Sequence, residues 1–152
     1  MKKLLCLILA LLLLSACSSG SAANFDVKEA MDTILEQYPI SSPLSLSEDD
    51  MLIFYGIMPD DYEDFAAVLC GTGITAQEFV FIKASGDESA ETVQRQLQNR
   101  LESLEATFKD YLPDQYEVVK GSQVSRDGVY VSLIIYPEAQ EVREVYSGLL
   151  AG

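Results

Sequence analysis

The side chains able to do chemistry are few, and an absence narrows them further. No histidine occurs in the 152 residues, which removes histidine-assisted serine and cysteine hydrolysis and the commoner zinc sites. Lys83 and Ser85 stand two apart, on one face of an extended strand, as a serine–lysine nucleophile pair would. Nothing near them supplies a third group, and a charged strand end beside a turn is the simpler reading. The densest carboxylates are Asp60, Asp61, Glu63 and Asp64, with Glu48, Asp49 and Asp50 upstream. Calcium takes several oxygens from one loop. Here Tyr62 and Ala66 fall where further oxygens are needed and the central glycine of an EF-hand is missing, so a solvated loop is the simpler account. Gly71-Thr72-Gly73 has no lysine or helix signal directly after it and reads as a turn rather than a phosphate cradle. Tyr130 and Tyr136, with Ile134 between them, would make a face for a peptide, glycan or second protein, or else pack beneath the first helix. No catalytic residue, metal or cofactor follows from these patterns.

The cysteines carry more information. Met1-Lys2-Lys3 supplies positive charge and residues Leu4 to Leu14 an apolar run, too short to span a bilayer of about 30 Å as a helix. This is the pattern of a signal peptide over residues 1–16. Leu14-Ser15-Ala16-Cys17 resembles the bacterial lipobox: leucine, two small residues, then the cysteine whose sulfur takes a diacylglyceryl group. The resemblance implies cleavage before Cys17 and acylation of that residue, and two or three acyl chains anchor stably where one does not. Residues 17–24 are rich in Ser, Gly and Ala and read as a flexible tether. Cys6 leaves with the leader and Cys70 remains without a partner, so no disulfide is expected; Ala66-Ala67-Val68-Leu69 before Cys70 implies a buried thiol.

The elements that must position any site lie in residues 25–152, enough for a single domain. Val27, Ala30, Met31, Ile34, Leu35 and Tyr38 have the spacing of an amphipathic helix over Asp26 to Tyr38, with Asp26 as cap and Pro39 as stop. A short helix beginning at Ser47 is expected next. Phe65 to Cys70 and Glu78 to Ala84 read as a hairpin. Glu88 to Leu112 is the clearest helix, its stripe formed by Val93, Leu97, Leu101, Leu104, Phe108 and Tyr111, with Glu91–Arg95 and Glu105–Lys109 as pairs four apart and Pro113 ending it. Tyr116 to Ser125 and Val129 to Tyr136 are expected to form a second hairpin through Arg126-Asp127-Gly128. Glu138 to Leu150 reads as a last helix with Val142, Val145, Leu149 and Leu150 inward. The prediction is an α+β domain: a four-stranded antiparallel sheet of two hairpins, packed with a long helix and a C-terminal helix, plus an N-terminal helix.

Four segments carry a further resemblance: the strand Glu78-Phe79-Val80-Phe81-Ile82-Lys83, Arg100 inside the long helix, Tyr111-Leu112-Pro113, and Gly128-Val129-Tyr130-Val131. Together they are similar to a family of Gram-positive lipoproteins catalogued as a domain of unknown function, number forty-three fifty-eight. The likeness runs from about Val27 to Tyr146. It implies a cell-surface lipoprotein and brings no ligand or catalytic residue with it.

Charge limits the partners. The formal net charge is −14, and removal of Lys2 and Lys3 makes it more negative still. Phosphate backbones need a basic stripe, so no nucleic acid is expected; an anionic membrane surface repels the domain, so attachment must come through lipid at Cys17. The expectation is a membrane-anchored extracytoplasmic lipoprotein, a non-enzymatic binding or interaction module with an envelope protein or peptide as partner. The alternative is a small envelope-acting hydrolase using carboxylates.

Overall fold

The computed structural model describes residues 25–152; the predicted signal peptide, the tether and Cys17 lie outside the described residues. Local chemistry starts the first two helices. Helix α1 (Val27–Gln37) begins where Asp26 Oδ1 accepts from the backbone N–H groups of Lys28 and Glu29, at 2.8 and 3.1 Å, meeting donors that no helical carbonyl can reach. Helix α2 (Glu48–Tyr55) has a reciprocal cap: Asp50 N–H donates to Ser47 Oγ while the Asp50 carboxylate accepts from the Ser47 backbone at 2.8 Å. Gly56, at φ 69°, closes it in the left-handed region.

The strands are β1 (Pro43–Ser45), β2 (Tyr62–Cys70), β3 (Glu78–Ala84), β4 (Gln123–Asp127) and β5 (Tyr130–Ile135). They form one antiparallel sheet in the order β1-β2-β3-β5-β4. The sheet therefore has five strands, not the predicted four. Strand β1 has three exposed residues and opens on a proline, so it carries no alternation to read, and its place at the sheet edge is where proline is tolerated. The first predicted hairpin forms; the second forms with a shorter first arm, Gln123–Asp127 in place of Tyr116 to Ser125, and turns at Gly128 with φ 56°.

The long helix α3 runs Asp87–Lys109 and buries Ala90, Val93, Leu97, Leu101 and Phe108. Tyr111, placed by prediction on the same stripe, lies past its end and is 79% exposed. The predicted pairs differ too: Arg95 donates to Thr92 Oγ1 at 3.2 Å, Glu91 lies 3.9 Å from Arg126 on β4, and the described ion pairs do not include Glu105 with Lys109. Pro113 opens a helix instead of only ending one. Helix α4 (Pro113–Lys120) occupies the first half of what was expected to be the first arm of the second hairpin, because a proline ring suits the first helical turn, where its missing N–H is not needed. Helix α5 (Ala139–Ala151) turns Ala139, Val142, Tyr146 and Leu150 inward; Leu149, expected inside, stands at the rim.

The sheet is apolar on both sides. Val80, Ile82, Val131, Leu133 and Ile135 meet α2, α3 and α4. Phe79, Phe81, Val68, Cys70, Tyr130 and Ile134 lie beneath α1 and α5. The opposite orientation of neighbouring residues on β5 matches the predicted alternation. Phe79 and Phe81 are fully buried, each contributing roughly 1.5–3 kcal/mol from area removed from water.

Candidate functional site

The residues singled out by type do not converge. Asp61 Oδ2 accepts from Met58 N–H at 3.1 Å, Glu63 pairs with Lys83 at 2.5 Å, and Asp64 pairs with Lys28 on α1 at 2.6 Å. Asp60 and Asp61 lie in a short 3-10 turn (Pro59–Asp61) ahead of β2, while Glu63 and Asp64 lie on the strand and are taken up by different lysines, so the acidic run is pulled apart; among the described residues no group of three or more metal-ligating side chains forms. Lys83 is engaged by Glu63 rather than by Ser85. Tyr130, Ile134 and Tyr136 line the sheet face covered by α1 and α5. Ile134 is 1% exposed, Tyr130 meets the Phe25 ring edge-on at 5.2 Å, and the Tyr136 hydroxyl donates to the Pro39 carbonyl at 3.2 Å.

Two clefts adjoin polar groups that are kept from water. In the first, at the start of β3, Arg100 reaches from α3 and donates to both oxygens of Glu78, Nε at 3.3 Å and Nη2 at 2.7 Å. Its guanidinium carbon lies 5.8 and 5.7 Å from the ring centres of Phe54 and Tyr55, within range of a cation–π attraction. Among the described residues Glu78 is the one buried carboxylate, at 2% exposure. The buried Tyr55 hydroxyl has no hydrogen-bond partner, and burial, then the nearby Glu78 charge, push its pKa well above the usual phenol range. The cleft beside this pair measures about 340 Å³ and is bounded by Leu44, Thr75, Gln77, Leu104 and Thr107.

The second cleft is larger, about 530 Å³, and lies between α5 and the outer two strands. Its floor is a polar row on paired strands: Ser125 opposite Ser132, and Asp127 opposite Tyr130. Its wall is Gln140, Arg143, Glu144, Tyr146 and Ser147 from α5. Two polar atoms here are buried without a partner, Nη1 of Arg143 and the hydroxyl of Tyr146. Burial, then the neighbouring Tyr130 and Asp127, push the Tyr146 pKa far up, so the phenol keeps its proton and remains a donor.

The family model described as Domain of unknown function (DUF4358) matches residues 36–136, all five strands and helices α2 to α4 included. The chain belongs to that family. No curated protein and no solved structure matches it. The DUF4358 match takes in Glu78 and Arg100 but stops before α5, so Arg143 and Tyr146 lie beyond it.

Within the DUF4358 region Cys70 is buried and free, on the α1 side of the sheet. Burial raises its thiol pKa, but the hydroxyls and then the backbone N–H groups of Thr72 and Thr75 outweigh that and bring it down to about 7; Sγ lies 3.1 Å from Thr72 Oγ1. Sequence reasoning had marked Arg100 only through resemblance and passed over Arg143 and Tyr146. Their signal was available: they stand three apart on an amphipathic helix, with Arg143 directly after the inward Val142, which places a cation at the border of the buried stripe.

Proposed function

We propose that the protein is a lipoprotein held by acyl chains on Cys17 at the extracytoplasmic face of a cell membrane, where its domain binds a ligand or partner without transforming it. The address rests on the charged start, the short apolar run and the lipobox-like Leu14-Ser15-Ala16-Cys17. Among the described residues no helix is long and apolar enough to cross a membrane, so the lipid would carry the attachment.

One observation carries the binding reading. The larger of the two clefts is lined by the residues that carry unpartnered donors, Arg143 and Tyr146, whereas carboxylate acid–base catalysis needs two carboxyls held partly out of water. Glu78 has both oxygens bonded to Arg100, and Asp127 and Glu144 stand exposed at the rim of the cleft. That geometry favours a module over a carboxylate hydrolase.

The anchor is tested by Cys17→Ala: loss of fatty-acid label and release from the membrane fraction are expected, and unchanged label and fractionation would overturn the address. The binding reading is tested by passing envelope peptide and glycan fractions over the immobilised full chain. Selective retention is expected; retention no greater than on heat-unfolded chain, or turnover of a retained component, would overturn it.

A further inference from the structure

We propose that the cleft between α5 and strands β4 and β5 binds a small zwitterionic carboxylate, an amino acid or short peptide, with Arg143 and Tyr146 holding its carboxylate. This deepens the binding reading above and rests on it.

Buried polar atoms in folded proteins nearly always have partners, and an orphan points to a water or ligand that completes it. Here two orphan donors from one helix line one cavity. Tyr146 is 5% exposed, and its hydroxyl and Arg143 Nη1 are both shut off from bulk water without a hydrogen bond. Two arginines are among the residues lining the cleft, and they differ. Arg126 is engaged by Asp87, Glu91 and the Gly128 carbonyl. Among the described residues Arg143 is paired with no carboxylate, which leaves its planar fork without a matching anion.

The rest of the lining narrows the class. Asp127 and Glu144 flank the donors and disfavour a doubly charged anion such as phosphate, while suiting an ammonium. Ser125, Ser132, Gln123 and Gln140 add hydroxyls and amides that match peptide groups. The volume of about 530 Å³ is within the range of small-molecule sites. A ligand with a carboxylate at one end and an ammonium at the other satisfies both signs of charge.

The test is calorimetric titration of the full chain in detergent micelles with alanyl-alanine, and with alanyl-alaninamide as the probe lacking a carboxylate. Binding of the dipeptide is expected, at least tenfold weaker for the amide and at least tenfold weaker with Arg143→Gln or Tyr146→Phe. Neither substitution removes a bond present in the free protein, so the melting temperature without ligand should not fall in either variant and serves as the folding control. Equal affinity for the amide, or full affinity in both variants, would overturn the site while leaving a binding module in place. Failure of the native chain to bind the dipeptide while it still retains envelope fractions also overturns the site alone; failure to retain anything overturns the broader reading.

Discussion

Arg100 grips both oxygens of Glu78 from the opposite layer, Nη2 at 2.7 Å and Nε at 3.3 Å, and the carboxylate it holds is almost completely out of water. Removing one partner of such a pair strands the other charge. Arg100→Met is expected to cost about 3–5 kcal/mol, read as a lower urea midpoint at unchanged slope. The double variant Glu78→Leu/Arg100→Met should recover most of the loss. A double variant no better than the single would mean that packing around Arg100, not charge, is the source.

Tyr55 offers the converse case. Its hydroxyl is buried and unpartnered, so Tyr55→Phe removes a desolvated group without breaking a bond. A gain of about 1 kcal/mol is expected, visible as a raised melting temperature. A loss would indicate that the hydroxyl donates to Glu78 in solution.

Cys70 should make stability depend on pH. Its folded pKa of about 7 lies below the ordinary value of 9.0, so the folded chain releases the thiol proton more readily than the unfolded one. The stabilisation is full above the unfolded value and is lost as pH falls through about 7. Native protein minus Cys70→Ala should therefore gain stability from about pH 7 to about pH 9. A flat difference in urea titrations across that window would refute the shift.

Ile134 separates folding from recognition. It lies at 1% exposure beneath α1 and α5, and Ile134→Ala is expected to cost about 2–5 kcal/mol through the cavity it leaves. Melting should fall, while dipeptide affinity measured on the remaining folded fraction should hold. Affinity lost at full stability would show the face to be open to ligand.

Much of this fold was legible where the deciding forces are local. Asp26 and Ser47 announce helices because a cap needs only the next three residues, and β5 shows its two faces because alternation is written along the chain. Strand β1 was hidden, since Pro43-Leu44-Ser45 has meaning only against Val68-Leu69-Cys70 across the sheet. Helix α4 was misread because Tyr116, Val118 and Val119 suit a strand by composition, whereas burial of Val119 against α3 and the proline start decide for a helix. The larger cleft depends on Ser125 and Ser132 meeting across two strands and on α5 lying over them. Only its wall, Arg143 and Tyr146, could have been found one residue at a time.

A sheet clothed in hydrocarbon on both faces loses the usual penalty against misalignment, because sliding β3 by one residue would bring nothing apolar into water. What resists that slide is sorting by shape and by charge. The Phe79 and Phe81 rings would have to enter a layer fitted to the branched aliphatic Val80 and Ile82, and Glu78 would swing away from Arg100 on α3. The ion pair beside the smaller cleft thus acts as a latch on strand alignment, giving a buried charge a purpose in folding that needs no ligand at all.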